Sequence, residues 1–235
     1  MERVPQNTVR PIERAEVRVS PGPLDYAERH HAAIEANWRR EVAAKPALFD
    51  GEVYLAPRAT LDGGALRADF RRTGFSTLLY WRRDPEPVRP WHIFAVGVIV
   101  SREGHLIAAR MGAGTAGAGR IYFPSGSIDD NDLVGDRVDY DGNIRREVME
   151  ETGLDLAEAR VEPGFNLVTG NRSIALFRRH FFDAPARELL AHAEAHLATE
   201  TAPELAGLLP VTGAGQMGEA TPSYVRAFAD WHFDC

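Results

Sequence analysis

Cysteine occurs once in these 235 residues, as the last one, Cys235. A single thiol excludes an intramolecular disulfide and any cysteine-built metal site, and makes the reducing cytoplasm the expected compartment. Long apolar runs are also missing. The longest, Ile93–Val100, has eight residues, where a membrane helix needs roughly 20. The N-terminus, MERVPQNTVRPIERAEVRVS, is charged and broken by proline, without the apolar centre of a signal peptide. Positive charge is not in surplus either: 27 basic side chains face 34 acidic ones, so no basic stripe invites duplex nucleic acid. There are no repeats and no low-complexity tract. With 44% hydrophobic and 26% charged residues, the chain reads as globular, with one large domain or two small ones.

The net charge of −7 is concentrated in one place. Residues 126–155 hold ten acids (Asp129, Asp130, Asp132, Asp136, Asp139, Asp141, Glu147, Glu150, Glu151, Asp155) and three arginines (Arg137, Arg145, Arg146), while the rest of the chain balances to zero. Such a run is either a solvated acidic loop or a cation site, and spacing decides between the two.

Pattern and turn signals divide the chain near residue 88. An N-terminal module (1–88) begins with extended chain over 1–20 and an Ala-rich helix over about Leu24–Ala44, with Asp25 as its N-cap. Short β-like runs follow at Glu52–Ala56, Ala65–Arg71 and Phe75–Trp81, with a hairpin turn at Asp62-Gly63-Gly64. The charged, Pro-rich segment 82–90 is a connector. The main domain (89–235) offers strands at His92–Val100, His105–Arg110 and Ile121–Phe123. A helix over about Asp141–Thr152 stops at Gly153. A hairpin is expected around Gly170-Asn171, then a helix at Ala186–Thr199, a strand at Leu208–Val211 and a closing helix at Ser223–Phe233. This mixed order predicts α/β layers around a mixed sheet.

The helix carries Arg146-Glu147-Val148-Met149-Glu150-Glu151-Thr152-Gly153-Leu154. At 100° per residue, Glu147, Glu150 and Glu151 share an arc of about 100°, with Ile144 and Val148 as the neighbouring apolar stripe. Arg146 lies one turn before Glu150 and can hold it by an i, i+4 contact. Three carboxylates on one face, with no lysine among them, repel one another unless a cation neutralises them. Mg²⁺ or Mn²⁺ is the fitting partner.

This segment resembles the second half of the Nudix box, G-x5-E-x7-R-E-U-x-E-E-x-G-U, matching all seven of its restricted positions. Tyr122-Phe123-Pro124-Ser125-Gly126 resembles the strand and loop that open the box. Two departures stand out. Gly126 and Arg146 are twenty residues apart instead of fourteen, an insertion of about six. Asp132 also stands where the family has its first glutamate, with Asp129 at a second loop position.

The resemblance implies a Nudix α/β/α sandwich with an added N-terminal α+β module. It implies Mg²⁺- or Mn²⁺-dependent hydrolysis of a diphosphate linkage in a small nucleoside diphosphate derivative. Glu147, Glu150 and Glu151 would hold the metal, Arg146 would orient a carboxylate, and Glu150 and Glu151 would serve catalysis. Gly126, Ser125 and Tyr122 would meet the substrate. A further glutamate well downstream is expected as ligand or base, from Glu194, Glu200 and Glu204, with the last two preferred and Glu200 assigned. The stretch Trp38 to Gly51 is similar to UDP-sugar diphosphatase-like members, which points to a nucleotide sugar; N-terminal additions in the family often dimerise, so a homodimer is one expectation. Other readings are a Nudix-fold binding or regulatory module without catalysis, an isomerase, or an oxidised-nucleotide sanitiser.

Remaining signals read as structural. The G-x-G-x-x-G matches at Gly112–Gly117 and Gly213–Gly218 lack the βαβ context of a dinucleotide site. His30-His31 point apart on a helix and read as surface residues. The tryptophans read as core, and Tyr122, Tyr140 or Phe165 could stack on a base.

Overall fold

The computed structural model describes residues 4–113, 115, 118–201 and 203–234, so Gly114 and Gly117 of the first glycine-rich stretch, and Cys235, lie outside the described residues. Two strands open the chain, β1 (Arg10–Ile12) and β2 (Arg14–Val19), where the sequence indicated only extended chain. Helices α1 (Asp25–Arg29) and α2 (His31–Ala44) follow, then strands β3 (Glu52–Leu55), β4 (Ala59–Asp62) and β5 (Ala65–Gly74). The single expected helix is thus broken at His30, and Leu24, not Asp25, takes the N-cap position.

Phe75–Trp81 is a helix rather than the expected strand: α3 spans Phe75–Arg83. Its first turn is capped from a distance. Asp50 Oδ1 accepts the Ser76 amide at 2.7 Å, and the Gly51 carbonyl accepts the Phe75 amide at 2.8 Å. These partners satisfy amides that a helix start leaves open. A local propensity reading has no access to them.

The rest of the chain supplies β6 (His92–Val100), β7 (Leu106–Met111), β8 (Ile121–Tyr122), β9 (Leu133–Val134), β10 (Arg137–Val138) and α4 (Tyr140–Thr152). Then come β11 (Arg160–Val161), β12 (Phe165–Gly170), β13 (Ser173–Phe181), α5 (Ala186–Leu197), β14 (Leu205–Val211) and α6 (Ser223–Asp234). The main sheet runs β1-β12-β13-β6-β7-β14, with β8 beside β7 and β11 beside β13. It is mixed, because β13 lies parallel to β6 while its other neighbours are antiparallel.

Alternation along β6 sorts its side chains to two layers. Ile93, Ala95 and Ile99 pack with Ile144 and Val148 of α4 and with Ala186 and Leu189 of α5. Phe94, Val96, Val98 and Val100 pack with Val225, Phe228 and Ala229 of α6. A strand covered on both faces reads as continuously apolar, as this one does. The result is the expected α/β/α sandwich.

Gly97 sits where α4 crosses the sheet. A Cβ there would lie 2.5 Å from Val148 Cγ2 and 3.1 Å from Ile144 Cγ2. The Gly97 amide also donates to the Pro124 carbonyl at 3.0 Å. One strand glycine therefore seats both the acidic helix and the loop that faces it.

A second sheet runs β3-β5-β2-β10-β9, with β4 on β5. The boundary near residue 88 is crossed in both directions. β1 pairs with β12, and β10 returns to pair Arg137 with Arg18 of β2. The core is shared as well, since Val17, Leu66 and Phe70 belong to one cluster with Ile93 and Ile144.

The β9–β10 hairpin accounts for the insertion. It spans residues 133–138, and its base is closed by the Asp139 amide donating to the Asp132 carbonyl at 2.8 Å. Chain leaves the Gly126 loop at Asp132, pairs with β2, and returns beside its point of departure. Among the described residues, no helix is long and apolar enough to cross a membrane.

Candidate metal centre

Helix α4 is fixed at both ends. The Asp139 side chain accepts the Gly142 amide at 2.9 Å, an N-cap that also suits the helix dipole. Gly153 ends the helix at φ 70 and donates to the Met149 carbonyl. Two histidines of α5 then close the C-terminus: His196 Nε2 meets the Glu150 carbonyl at 2.9 Å and His192 Nε2 the Gly153 carbonyl at 2.8 Å.

Two of the three motif glutamates turn inward. Glu147 is 12% exposed, and it crowds Gly126 so closely that a Cβ there would lie 2.1 Å from Glu147 Oε1. Burial pushes its carboxyl up to about 7; Arg146 opposes this, and Glu150 and Asp132 add to it. Glu151 is pushed up to about 9, by burial first and then by the charges of Glu147 and Glu204, with the Ser125 amide in partial opposition. No basic side chain among the described residues pairs with Glu151. Glu150 does not join them. Its side chain is 59% exposed and held by Arg146 at 3.2 Å, so among the described residues no metal-sized cluster gathers all three glutamates.

Arg146 is the organiser of this face. Its Nη2 reaches both Asp132 oxygens at 3.0 Å, and its Nη1 meets Glu147 at 2.7 Å and Glu150 at 3.2 Å. Burial alone would lower the Arg146 pKa, but Glu147 and Asp132 outweigh it and raise the value above the ordinary one. Asp132 is itself buried, and accepts from Asn143 Nδ2 at 3.0 Å and the Asp129 amide at 3.1 Å. Its importance was visible only as a spacing, six residues after Gly126.

The remaining acids of the charged window are mostly committed elsewhere. Asp130 binds Arg72 at 2.8 Å and accepts from the Tyr54 hydroxyl. Asp136 binds Arg18 at 2.9 Å, and Asp141 pairs with Arg178. Asp129, Asp139 and Asp155 each cap a helical turn. These groups clamp the N-terminal strands to the acidic segment, tie α4 to β13, or start helical turns.

Of the two preferred downstream glutamates, Glu204 is one whose charge raises the Glu151 carboxyl. Glu200 is engaged by His196 at 3.4 Å. The Glu204 carbonyl is fixed by the Gly112 amide at 2.7 Å, which places the residue where β14 meets β7. Tyr122 accepts from Arg120 Nη1 at 3.4 Å. Arg82, at the end of α3, lies in the field of Tyr122, Tyr224 and Arg120; partial desolvation lowers its pKa, against the effect of the two tyrosines. Neither Arg82 nor Arg120 has a carboxylate partner among the described residues. Tyr140 and Phe165 are buried against each other and line a separate cavity of about 240 Å³ with Asp139 and Arg178.

The inward pair fits a hard divalent cation. Both are carboxylates, both are pushed towards the neutral form by burial, and a dication would restore their charge. Replacing Gly126 with alanine forces the Glu147 carboxylate away. The expected result is a loss of Mn²⁺ affinity of at least about tenfold, with the thermal midpoint little changed, read from calorimetry and a melting curve.

No family profile matches this chain, and no curated protein matches it. Several solved structures are similar in part. DR0079 from Deinococcus radiodurans aligns at TM-score 0.42 and 12% identity, over 69% of this chain and 83% of its own. The MutT protein from Methanosarcina mazei Go1 aligns at TM-score 0.42 and 16% identity, over 63% and 96%. The NUDIX domain of Shewanella oneidensis NrtR, solved with ADP ribose, aligns at TM-score 0.37 and 11% identity, over 55% and 77%.

Proposed function

We propose that this chain is a Nudix-type diphosphatase, a Mg²⁺- or Mn²⁺-dependent hydrolase that cleaves the diphosphate linkage of a nucleoside diphosphate derivative, with nucleotide sugars as the first class to test. One observation carries the reading. In the motif Arg146–Leu154, Glu147 and Glu151 are drawn inward against Ser125 and Gly126, with Arg146 anchored on Asp132.

Each residue has a distinct task. Glu147 and Glu151 hold the cation, with Glu150 at the rim. When bound, the cation offsets phosphate charge and lowers the pKa of a coordinated water. Arg146 keeps Glu147 in place while spending its second nitrogen on Asp132. Gly126 and Ser125 bring backbone close to the substrate, because a side chain at 126 would collide with Glu147. Glu204, whose charge acts on Glu151, would accept a proton from the attacking water. Arg82 and Arg120, without carboxylate partners among the described residues, put positive charge around Tyr122, suited to an anionic substrate. Phosphoryl transfer needs mainly such positioning and charge neutralisation.

The test is a panel of nucleotide sugars, dinucleoside polyphosphates and nucleoside triphosphates, incubated with Mg²⁺ or Mn²⁺ and assayed for released monophosphates. Turnover of a nucleotide sugar to nucleoside monophosphate and sugar phosphate, abolished by chelation, is the expected result. A chain that binds metal and hydrolyses no member of the panel would instead be a binding module.

A further inference from the structure

The break between α1 and α2 brings a histidine to the connector that follows α3. His30, Asp84 and Glu86 each offer one ligand atom, and the three atoms lie within 4.8 Å of one another. His31 points elsewhere, 74% exposed and near Glu35. The surface reading of the histidine pair therefore applies to His31 and not to His30.

His30 Nε2 is buried and has no hydrogen-bond partner. Its nearest opposing atom is Glu86 Oε2 at 3.9 Å, beyond hydrogen-bond reach. On the other side of the ring, Nδ1 faces the Tyr80 hydroxyl at 3.5 Å. The ring is held between Tyr26 and Tyr80, with centroids 4.5 and 5.6 Å away. Asp84 is equally well fixed: it is 6% exposed, and its oxygens accept from the Tyr26 hydroxyl at 2.6 Å and the Glu86 amide at 3.0 Å. Each oxygen keeps a second lone pair. Arg89 binds the Asp84 carbonyl. Glu86 is half exposed, which leaves an entry path and freedom to move inward.

We propose that His30 Nε2, Asp84 and Glu86 form a second metal site, distinct from the carboxylate helix, that takes a transition-metal dication of the zinc type. One imidazole with two carboxylates suits zinc better than magnesium. The donors of a four-coordinate zinc lie about 3.4 Å apart, which a rotation of Glu86 supplies. Tyr26 and Tyr80 orient the ligands from behind, as outer partners do in zinc sites. The ion ties the α1–α2 break to the connector, joining two segments of the N-terminal region.

The test removes the first site before probing the second. In a chain carrying Glu147→Gln, Glu150→Gln and Glu151→Gln, zinc content per chain is measured after gel filtration, with Co²⁺ visible absorption as the geometric readout. One equivalent retained is the expected result. His30→Gln, and separately Glu86→Gln, should each weaken binding by at least about tenfold and abolish the Co²⁺ band. Circular dichroism without metal verifies the fold, and the exposed Glu86 decides the outcome if the His30 variant unfolds. A background chain that retains no zinc, or variants that bind as tightly as it does, would overturn the proposal.

Discussion

Glu151→Gln is expected to lower turnover in the proposed diphosphatase reaction by roughly 10³-fold, the scale of losing one charge-stabilising group in the site. The same variant should make the metal-free protein more stable at neutral and alkaline pH. Both effects have one cause. Glu151 is partly buried in the field of Glu147 and Glu204 with no basic partner among the described residues, and its carboxyl is pushed up to about 9. An unfolded glutamate ionises near 4.3. Below that pH both states hold the proton, and burial carries no ionisation penalty. As pH rises towards 9, the unfolded chain releases the proton while the folded chain keeps it, so stability falls across that window. Glu147, pushed up to about 7, adds a smaller loss over the lower part of it. Thermal midpoints of metal-free wild type should therefore decline between about pH 5 and 9 on account of these two groups. The Glu151→Gln profile should be flatter and higher at pH 8, and coincide with wild type at pH 4. Mn²⁺ should raise the wild-type midpoint at pH 8 and leave the variant nearly unmoved. Undiminished turnover in Glu151→Gln would remove this residue from the site.

Asp132→Ala should have the largest effect on the fold around the site. It removes both bonds to Arg146 and the acceptor for Asn143 Nδ2 and the Asp129 amide. Breaking a buried ion pair by deleting one partner costs about 3–5 kcal/mol. The Arg146 side chain is 28% exposed, so solvent relieves part of that and about 2–3 kcal/mol is the expectation. Arg146, released from its anchor, would be free to neutralise Glu147 and Glu150 fully. Metal affinity should then fall along with stability, whereas Asp130→Ala, which loses the Arg72 and Tyr54 contacts beside β9–β10, should lower stability with little change in metal affinity. Calorimetry of Mn²⁺ binding, combined with urea denaturation, separates the two variants.

Much of the site was legible because it lies within one helix. Periodicity is fixed at 3.6 residues per turn, so Arg146 could be paired with Glu150 and the glutamates grouped on one face from spacing alone. Gly153 as the terminator follows from the same local rules, since a left-handed residue closes the helix there. Less was legible where partners are distant. Phe75–Trp81 has the composition of a strand, yet Asp50 caps it as a helix. Glu200 and Glu204 are equivalent in sequence, and the charge of the second on Glu151 emerges only when β14 returns along β7. Gly97 carried one faint sign, a lone glycine inside an apolar strand, and its reason appears only when Val148 is seen against it.

By itself the sequence determined that the whole net charge of −7 sits in residues 126–155, and that three of its acids share a helix face. It could not say which of the ten acids find a basic partner. Tertiary structure decided that, because charge is neutralised through space and not along the chain. Arginines from β2, β5 and β13 reach Asp136, Asp130 and Asp141, helical turns take Asp129, Asp139 and Asp155, and Arg146 is shared among Asp132, Glu147 and Glu150. Glu151 is left partly buried without a basic partner among the described residues, and Glu147 keeps only its part of one shared arginine. The inserted hairpin has the same kind of explanation: its six residues find their purpose in pairing with β2, a strand more than a hundred residues earlier in the chain.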